Sequence, residues 1–152
     1  MVSLNDDGEF NRSYREIYPP EMELKRENEC DTKGSYLEMD LAVSENIFTS
    51  SLYDKINAFN FSVVRLPYRC SNIPAKMFYA TISAEVLRIA KATSIFIRFI
   101  QSIRTLLDKM KKQGADTIGL KKVLRKMINR HWQSFSKFSK SIENIITDCC
   151  QA

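Results

Sequence analysis

Six polar side chains between Lys121 and Arg130 define the chemistry this chain has to offer. Lys121, Lys122, Arg125, Lys126, Asn129 and Arg130 recur at helical spacing, and no acid stands between Asp116 and Glu143. On a helix they form one cationic face that can neutralise phosphates or carboxylates. The opposite face carries Leu120, Val123, Leu124, Met127 and Ile128, and Phe135 continues the pattern. Such a stretch, Thr117 to Lys137, packs its apolar side inward and turns its charge outward. A charge run of this kind reads equally as a solvated face or as a site for an anionic partner. Lys109, Lys111 and Lys112 make a second cationic cluster, and Lys55 stands apart. Trp132, Phe135 and Phe138 interleave with Arg130, His131 and Lys137, a mixture suited to stacking on bases beside phosphates. At i, i+3 and i+6 the same rings also make a core stripe. That reading is preferred for Phe135 and Phe138, while Trp132 fits either role.

Bond-making chemistry is harder to find. The four glycines, Gly8, Gly34, Gly114 and Gly119, lie in no phosphate-cradling loop, and there is no Walker, dinucleotide, HExxH or GxSxG sequence. His131 is the only histidine, and the cations around it disfavour its protonation rather than set up a base. Glu38 and Asp40, two apart on a strand face, have a spacing that a divalent metal accepts; alternating acids on a solvent-facing strand explain them better. The cysteines Cys30, Cys70, Cys149 and Cys150 lack zinc-ligand spacing and read as free thiols of a reducing compartment. No catalytic residue, no metal and no small-molecule substrate is expected.

The whole-chain numbers point the same way. At 152 residues and 44% hydrophobic content the chain is long enough for one core. Its net charge of +5 hides a split: residues 1–60 hold 6 Lys+Arg against 13 Asp+Glu, and residues 61–152 hold 17 against 5. An acidic lead-in joined to a basic module suits nucleic acid first and an anionic membrane surface second. The longest uncharged run, Ile56 to Val64, is too short for the roughly 20 residues of a spanning helix. Nothing near Met1 resembles a secretory signal, so an intracellular location, nuclear or cytoplasmic, is expected.

The elements that must position the cations follow from periodicity. Residues 1–34 read as a loose acidic leader with an extended Tyr18-Pro19-Pro20. Residues 35–68 read as a strand segment. Leu37, Met39, Leu41 and Val43 alternate with polar or small residues, Ser44-Glu45-Asn46 turns the chain, and Ile47–Tyr53 returns. Phe59–Leu66 adds an edge-like third strand ending at Pro67, and Pro67 and Pro74 bracket a loop. Residues 69–152 read as a helical module. Tyr79, Ile82, Val86, Ile89 and Ala90 form one face, interrupted near Thr93-Ser94, with Ser94 capping the next helix. Phe96, Phe99, Ile100, Ile103, Leu106, Leu107 and Met110 form a second face, closed by Gly114 at the C′ position. Asp116 or Thr117 caps the basic helix, whose first turn Gly119 weakens. Ile142, Ile145, Ile146 and Cys149 mark a final short helix. The expected class is mostly α with a small β-hairpin: leader, hairpin, then three or four packed helices.

Several pieces, taken in order, carry a family resemblance. They are Ile17-Tyr18-Pro19-Pro20-Glu21 followed by Met22-Glu23-Leu24; SYLEMDLAV (35–43); SSLYDKINAFNFSVVRLPY (50–68) leading to SNIP (71–74); and a tail with AEVLRIAKATS (84–94) and MINRHWQSFSKF (127–138). The series resembles the region downstream of the catalytic palm in retroelement reverse transcriptases related to the Penelope-like group. There a "YLDL" strand pairs with one ending in tyrosine-aspartate-lysine, and a phenylalanine-asparagine-phenylalanine segment, a SNIP loop and a helical thumb follow. Tyr36-Leu37-Glu38-Met39 takes the first position with one acid changed. Tyr53-Asp54-Lys55 and Phe59-Asn60-Phe61 match, and Ile56-Asn57-Ala58 replaces the charged residues usual between them.

The resemblance spans residues 17–148 and implies the end of a palm plus a thumb. The paired aspartates that hold magnesium in such polymerases lie upstream of this region, and no YxDD sequence occurs here. It implies a detached C-terminal piece of an RNA-directed DNA polymerase, inactive alone, with magnesium needed only by the complete enzyme. Its partners would be an RNA–DNA or RNA duplex and the missing palm. Lys121, Lys122, Arg125, Lys126 and Arg130 would contact phosphates, with Lys109, Lys111 and Lys112 as a second patch, Trp132 beside them and Lys55 near the primer end. The alternative is a helical interaction module whose basic face meets an acidic protein, its own leader included.

Overall fold

Leu37 begins the fold by doing what few leucines do: it adopts φ +54 and turns the chain. The turn at Leu37-Glu38 joins β1 (Lys33–Tyr36) to β2 (Met39–Ser44), and Ser35 donates its hydroxyl to Asp40 across the pair. A second turn, with Glu45 at φ +49 and Asn46 at φ +62, joins β2 to β3 (Ile47–Leu52). Two successive positive φ values match the right-handed twist of the flanking strands. The result is a three-stranded antiparallel sheet in the order β1-β2-β3. The computed structural model describes residues 13, 16–22, 30, 32–60 and 65–150, and the side chains of residues 57 and 58 lie outside that description.

The hairpin of β2 and β3 is therefore present, with two corrections. Lys33 and Gly34, assigned by sequence to the leader, are the start of β1. Leu37, assigned to the strand, is a turn residue with 78% of its surface exposed. The alternating burial expected from Leu37 to Val43 is absent: Met39 to Ala42 are all half-buried and Val43 is exposed. Most of the leader lies outside the described residues; within it, Met22 closes a turn by donating its N–H to the Pro19 carbonyl. The expected edge strand over 59–66 falls mainly on residues 61–64, outside the description, and Phe59, Asn60, Arg65 and Leu66 are not strand.

After the loop at 67–74 the chain is helical. Helix α1 (Ala75–Ala92) starts behind Pro74, and α2 (Phe96–Lys112) follows after a three-residue break. Ser94 does not cap α2, as its position suggested; Ile95 holds that place without a side-chain bond. Ser94 instead clasps the free edge of β3. Its N–H and hydroxyl both donate to the Ser50 carbonyl, and its hydroxyl accepts from the Ser50 N–H at 2.9 Å. Gly114, at φ +94, terminates α2 as expected.

Helix α3 (Thr117–Arg130) is shorter than its charge pattern implied. At His131 the backbone leaves helical geometry, and two single 3₁₀ turns follow, Trp132–Ser134 and Ser136–Phe138. These turns deliver Phe135 and Phe138 to Phe99, at ring-centroid distances of 5.9 and 4.8 Å. Both rings are buried, as preferred on sequence grounds. Helix α4 (Ile142–Cys150) then packs Ile145, Ile146 and Cys149 onto α2 and α3. Among the described residues every buried apolar side chain lies between Phe78 and Cys149, and none belongs to the sheet. The molecule is thus mostly helical α+β, with four α-helices of nine residues or more among the described residues. No described helix is long and apolar enough to cross a membrane.

Candidate functional site

Helix α3 presents the cationic face because its other face is fixed. Leu120, Leu124, Met127 and Ile128 are each 5% exposed or less, so the residues between them must point outward. Lys121, Lys122, Arg125, Lys126, Asn129 and Arg130 are all exposed. Arg125 meets Glu143, the first residue of α4 after Ile142, at 2.9 Å. Lys121, Lys122, Lys126 and Arg130 have no ion pair among the described residues.

The start of the helix is held by a cluster that the sequence did not advertise. Asp116 accepts from the Gly119 N–H with one carboxylate oxygen and from the Tyr79 hydroxyl with the other. The Tyr79 bond, followed by the Gly119 N–H, holds the Asp116 carboxyl below the usual carboxylate range. The same bond pushes the Tyr79 phenol up. Gly119 is needed here for space rather than flexibility: a Cβ at that position would lie 2.5 Å from Tyr79 Oη and 2.6 Å from Asp116 Oδ2. Its supposed weakening of the first turn is offset by this closure. Arg69 packs against Gly114, donates its N–H to the Gln113 carbonyl and faces Tyr79 and Asp116. The loop, α1 and the α2–α3 turn are thereby locked to the base of the cationic face.

The second cluster differs. Lys109 lies 3.9 Å from Asp54, and Lys111 lies 3.9 Å from Asp108. Lys112 is exposed and has no ion pair among the described residues. Lys55 is exposed in a 3₁₀ turn, Lys55–Ala58, directly after Asp54, and so belongs with Lys109 rather than with α3. The two clusters approach each other at the end of α4, where Lys121 and Lys111 both oppose the rise that burial imposes on the Cys150 thiol. Neighbouring Cys149 is buried, which pushes its thiol up to about 12 and leaves it inert at neutral pH. All four cysteines are free.

Trp132 follows α3 and keeps 38% of its surface exposed, beside Arg130. Lys137 and Lys140 sit over the rings of Phe138 and Phe96, at 5.1 and 5.7 Å from the centroids. His131 ends α3 through a backbone bond to the Met127 carbonyl and is half-buried. Glu38 and Asp40 do not share a site: Glu38 pairs with Arg88 at 3.0 Å, and Asp40 accepts from Ser35. Among the described residues no group of three or more His, Cys, Asp or Glu is placed to hold a metal.

Sequence reasoning missed one large feature, an ion network across the seam between sheet and helices. Arg65 joins Glu85 at 2.6 Å and Asp54 at 3.9 Å, and Arg88 joins Glu85 at 2.9 Å as well as Glu38. Glu85 and Arg88 are an i, i+3 pair that helical spacing offers, but the bonds of Arg65 to Glu85 and of Arg88 to Glu38 join residues 20 and 50 apart in sequence, and no local pattern could have exposed those. No known protein family, curated protein or solved structure matches this chain.

Proposed function

We propose that the chain binds the phosphate backbone of nucleic acid through the outer face of α3, as the thumb region of a retroelement reverse transcriptase would. In that reading it acts by gripping a template–primer duplex, and nucleotide addition belongs to a palm elsewhere. The observation that carries the proposal is the exposure of Lys121, Lys122, Lys126 and Arg130 on one rigid helix, without an acidic partner among the described residues. Four cations on a preformed scaffold release counterions on meeting phosphates at little conformational cost. The order of the motifs between residues 17 and 148 supports the family assignment. Fluorescence anisotropy with an RNA–DNA hybrid tests it. Replacing all four cations by glutamine is expected to abolish binding at moderate salt with the helical circular dichroism unchanged. Retained affinity would sink the proposal.

One observation favours a second reading. Arg125 already receives a carboxylate, that of Glu143, on the same face, so an acidic protein segment is chemically acceptable there. Competition by polyglutamate decides between them: a hybrid displaced at equal charge concentration supports the protein partner, and a hybrid that resists supports nucleic acid.

A further inference from the structure

A cleft of about 470 Å³ opens between the end of the sheet and the helices, on the side of the molecule that carries the ion network. That volume lies within the range of small-molecule sites. Its apolar wall is made by Leu52, Ile56, Leu66, Ile89 and Leu106. Its charged lining is Arg65, Arg88, Lys109 and Lys112 against Asp54 and Glu85, a surplus of two positive charges.

The distribution of that surplus is uneven. Glu85 is engaged closely by two arginines, whereas Asp54 reaches Arg65 and Lys109 only at 3.9 Å. Lys109 and Lys112 are therefore the cations least neutralised within the cleft, and they sit one helical turn apart at the end of α2. Two further groups in its lining residues are underpaired. Gln113 donates through Nε2 to the Leu66 carbonyl at 2.9 Å, which orients Oε1 as an acceptor. That Oε1 is buried and has no partner among the described residues, and the same holds for the Nε donor of Arg88. Both atoms are buried, so residues that line the cleft carry polar groups that no described residue satisfies.

We propose that this cleft is a binding site for a small organic anion with an apolar body. The acid group would sit at Lys109 and Lys112, and the body would lie over Leu52, Ile56 and Leu66. The site is separate from the outer face of α3 and does not depend on nucleic-acid binding.

Isothermal titration of the full chain with 1-naphthyl phosphate tests the proposal, with 1-naphthoate, 1-naphthalenemethanol and inorganic phosphate as comparators. One-to-one saturable binding is expected for at least one aromatic anion, and the tighter of the two identifies the acid group. The neutral alcohol and inorganic phosphate should each bind at least about tenfold more weakly. The exposed pair Lys109→Gln and Lys112→Gln should weaken the aromatic anion about tenfold, whereas Lys122→Gln with Lys126→Gln should leave it unchanged. Circular dichroism of each variant checks the fold. Equal binding of the alcohol, equal loss from the α3 pair, or no saturable binding of either aromatic anion would each overturn the site. Loss of hybrid binding in the α3 variants bears only on the function proposed above.

Discussion

Two regions of this molecule gather cations in opposite surroundings. The outer face of α3 collects its cations opposite an apolar face, and among the described residues only Glu143 forms an ion pair with them. The seam between sheet and helices collects Arg65, Arg88 and Lys109, and interleaves them with Asp54, Glu85 and Glu38. The first arrangement leaves charge available to a partner. The second uses most of it internally, leaving Lys109 only loosely paired, and ties a sheet with no buried residue to a helical core that holds every buried residue among those described. Exposure alone does not make an anion site; what matters is whether an acid from elsewhere in the fold reaches the cation.

The most disruptive way to break the contrast is to remove what orients α3. Leu124, 1% exposed, sits at the centre of its inner face. Leu124→Ala should destabilise the chain by about 2–5 kcal/mol in urea unfolding, through lost burial and an unfilled cavity. An unchanged midpoint would mean that the cationic face is not positioned by core packing. Next comes the base of the helix. Gly119→Ala forces a methyl onto Tyr79 and Asp116, and a cost of about 1–3 kcal/mol is expected from overpacking. A stabilised protein would show instead that glycine flexibility, not space, governs the site.

The seam should respond more mildly. Glu85→Gln leaves Arg65 and Arg88 facing each other with less compensation, and a loss of about 1 kcal/mol is expected, shrinking as salt is added. The comparison sharpens if this variant also gains affinity for polyanions, because the change would convert paired cations into available ones. Smallest is the effect of acid on the Asp116 cap. Its carboxyl titrates below the ordinary value in the folded chain, so the unfolded chain takes up protons first as pH falls. The contribution is complete above the ordinary carboxylate range and disappears as pH falls through the folded value. Asp116→Asn should therefore lessen the acid-induced loss of stability, measured as the unfolding midpoint between neutral pH and pH 3. An unaltered acid limb would contradict the assigned bond to Tyr79.

Much of this was readable from the residues because helices are local. The faces of α1, α2 and α4, the Gly114 terminus and the Asp116 cap all follow from spacing within a few residues. The basic face of α3 was legible for the same reason, and its end was not: after the turn at His131, Phe135 and Phe138 reach Phe99, 36 and 39 residues back along the chain. The sheet was half legible. The β2–β3 hairpin showed itself through Glu45-Asn46, whereas β1 was hidden because Lys33-Gly34-Ser35 has no apolar alternation and the turn falls on a leucine. The ion network was legible only in its i, i+3 pair Glu85–Arg88; the bonds from Arg65 to Glu85 and from Arg88 to Glu38 join segments that only the tertiary fold brings together.

The central claim is that the α3 cations without an ion pair among the described residues, and not the seam's paired ones, meet the phosphates of nucleic acid. It is tested most directly by the salt dependence of binding to an RNA–DNA hybrid. Lys121→Gln, Lys122→Gln, Lys126→Gln and Arg130→Gln, introduced singly, should each lower the slope of log affinity against log salt by about one unit. Lys109→Gln should lower it by much less, because Asp54 already stands beside that ammonium. Equal slope changes in the two regions, or none in α3, would contradict the account.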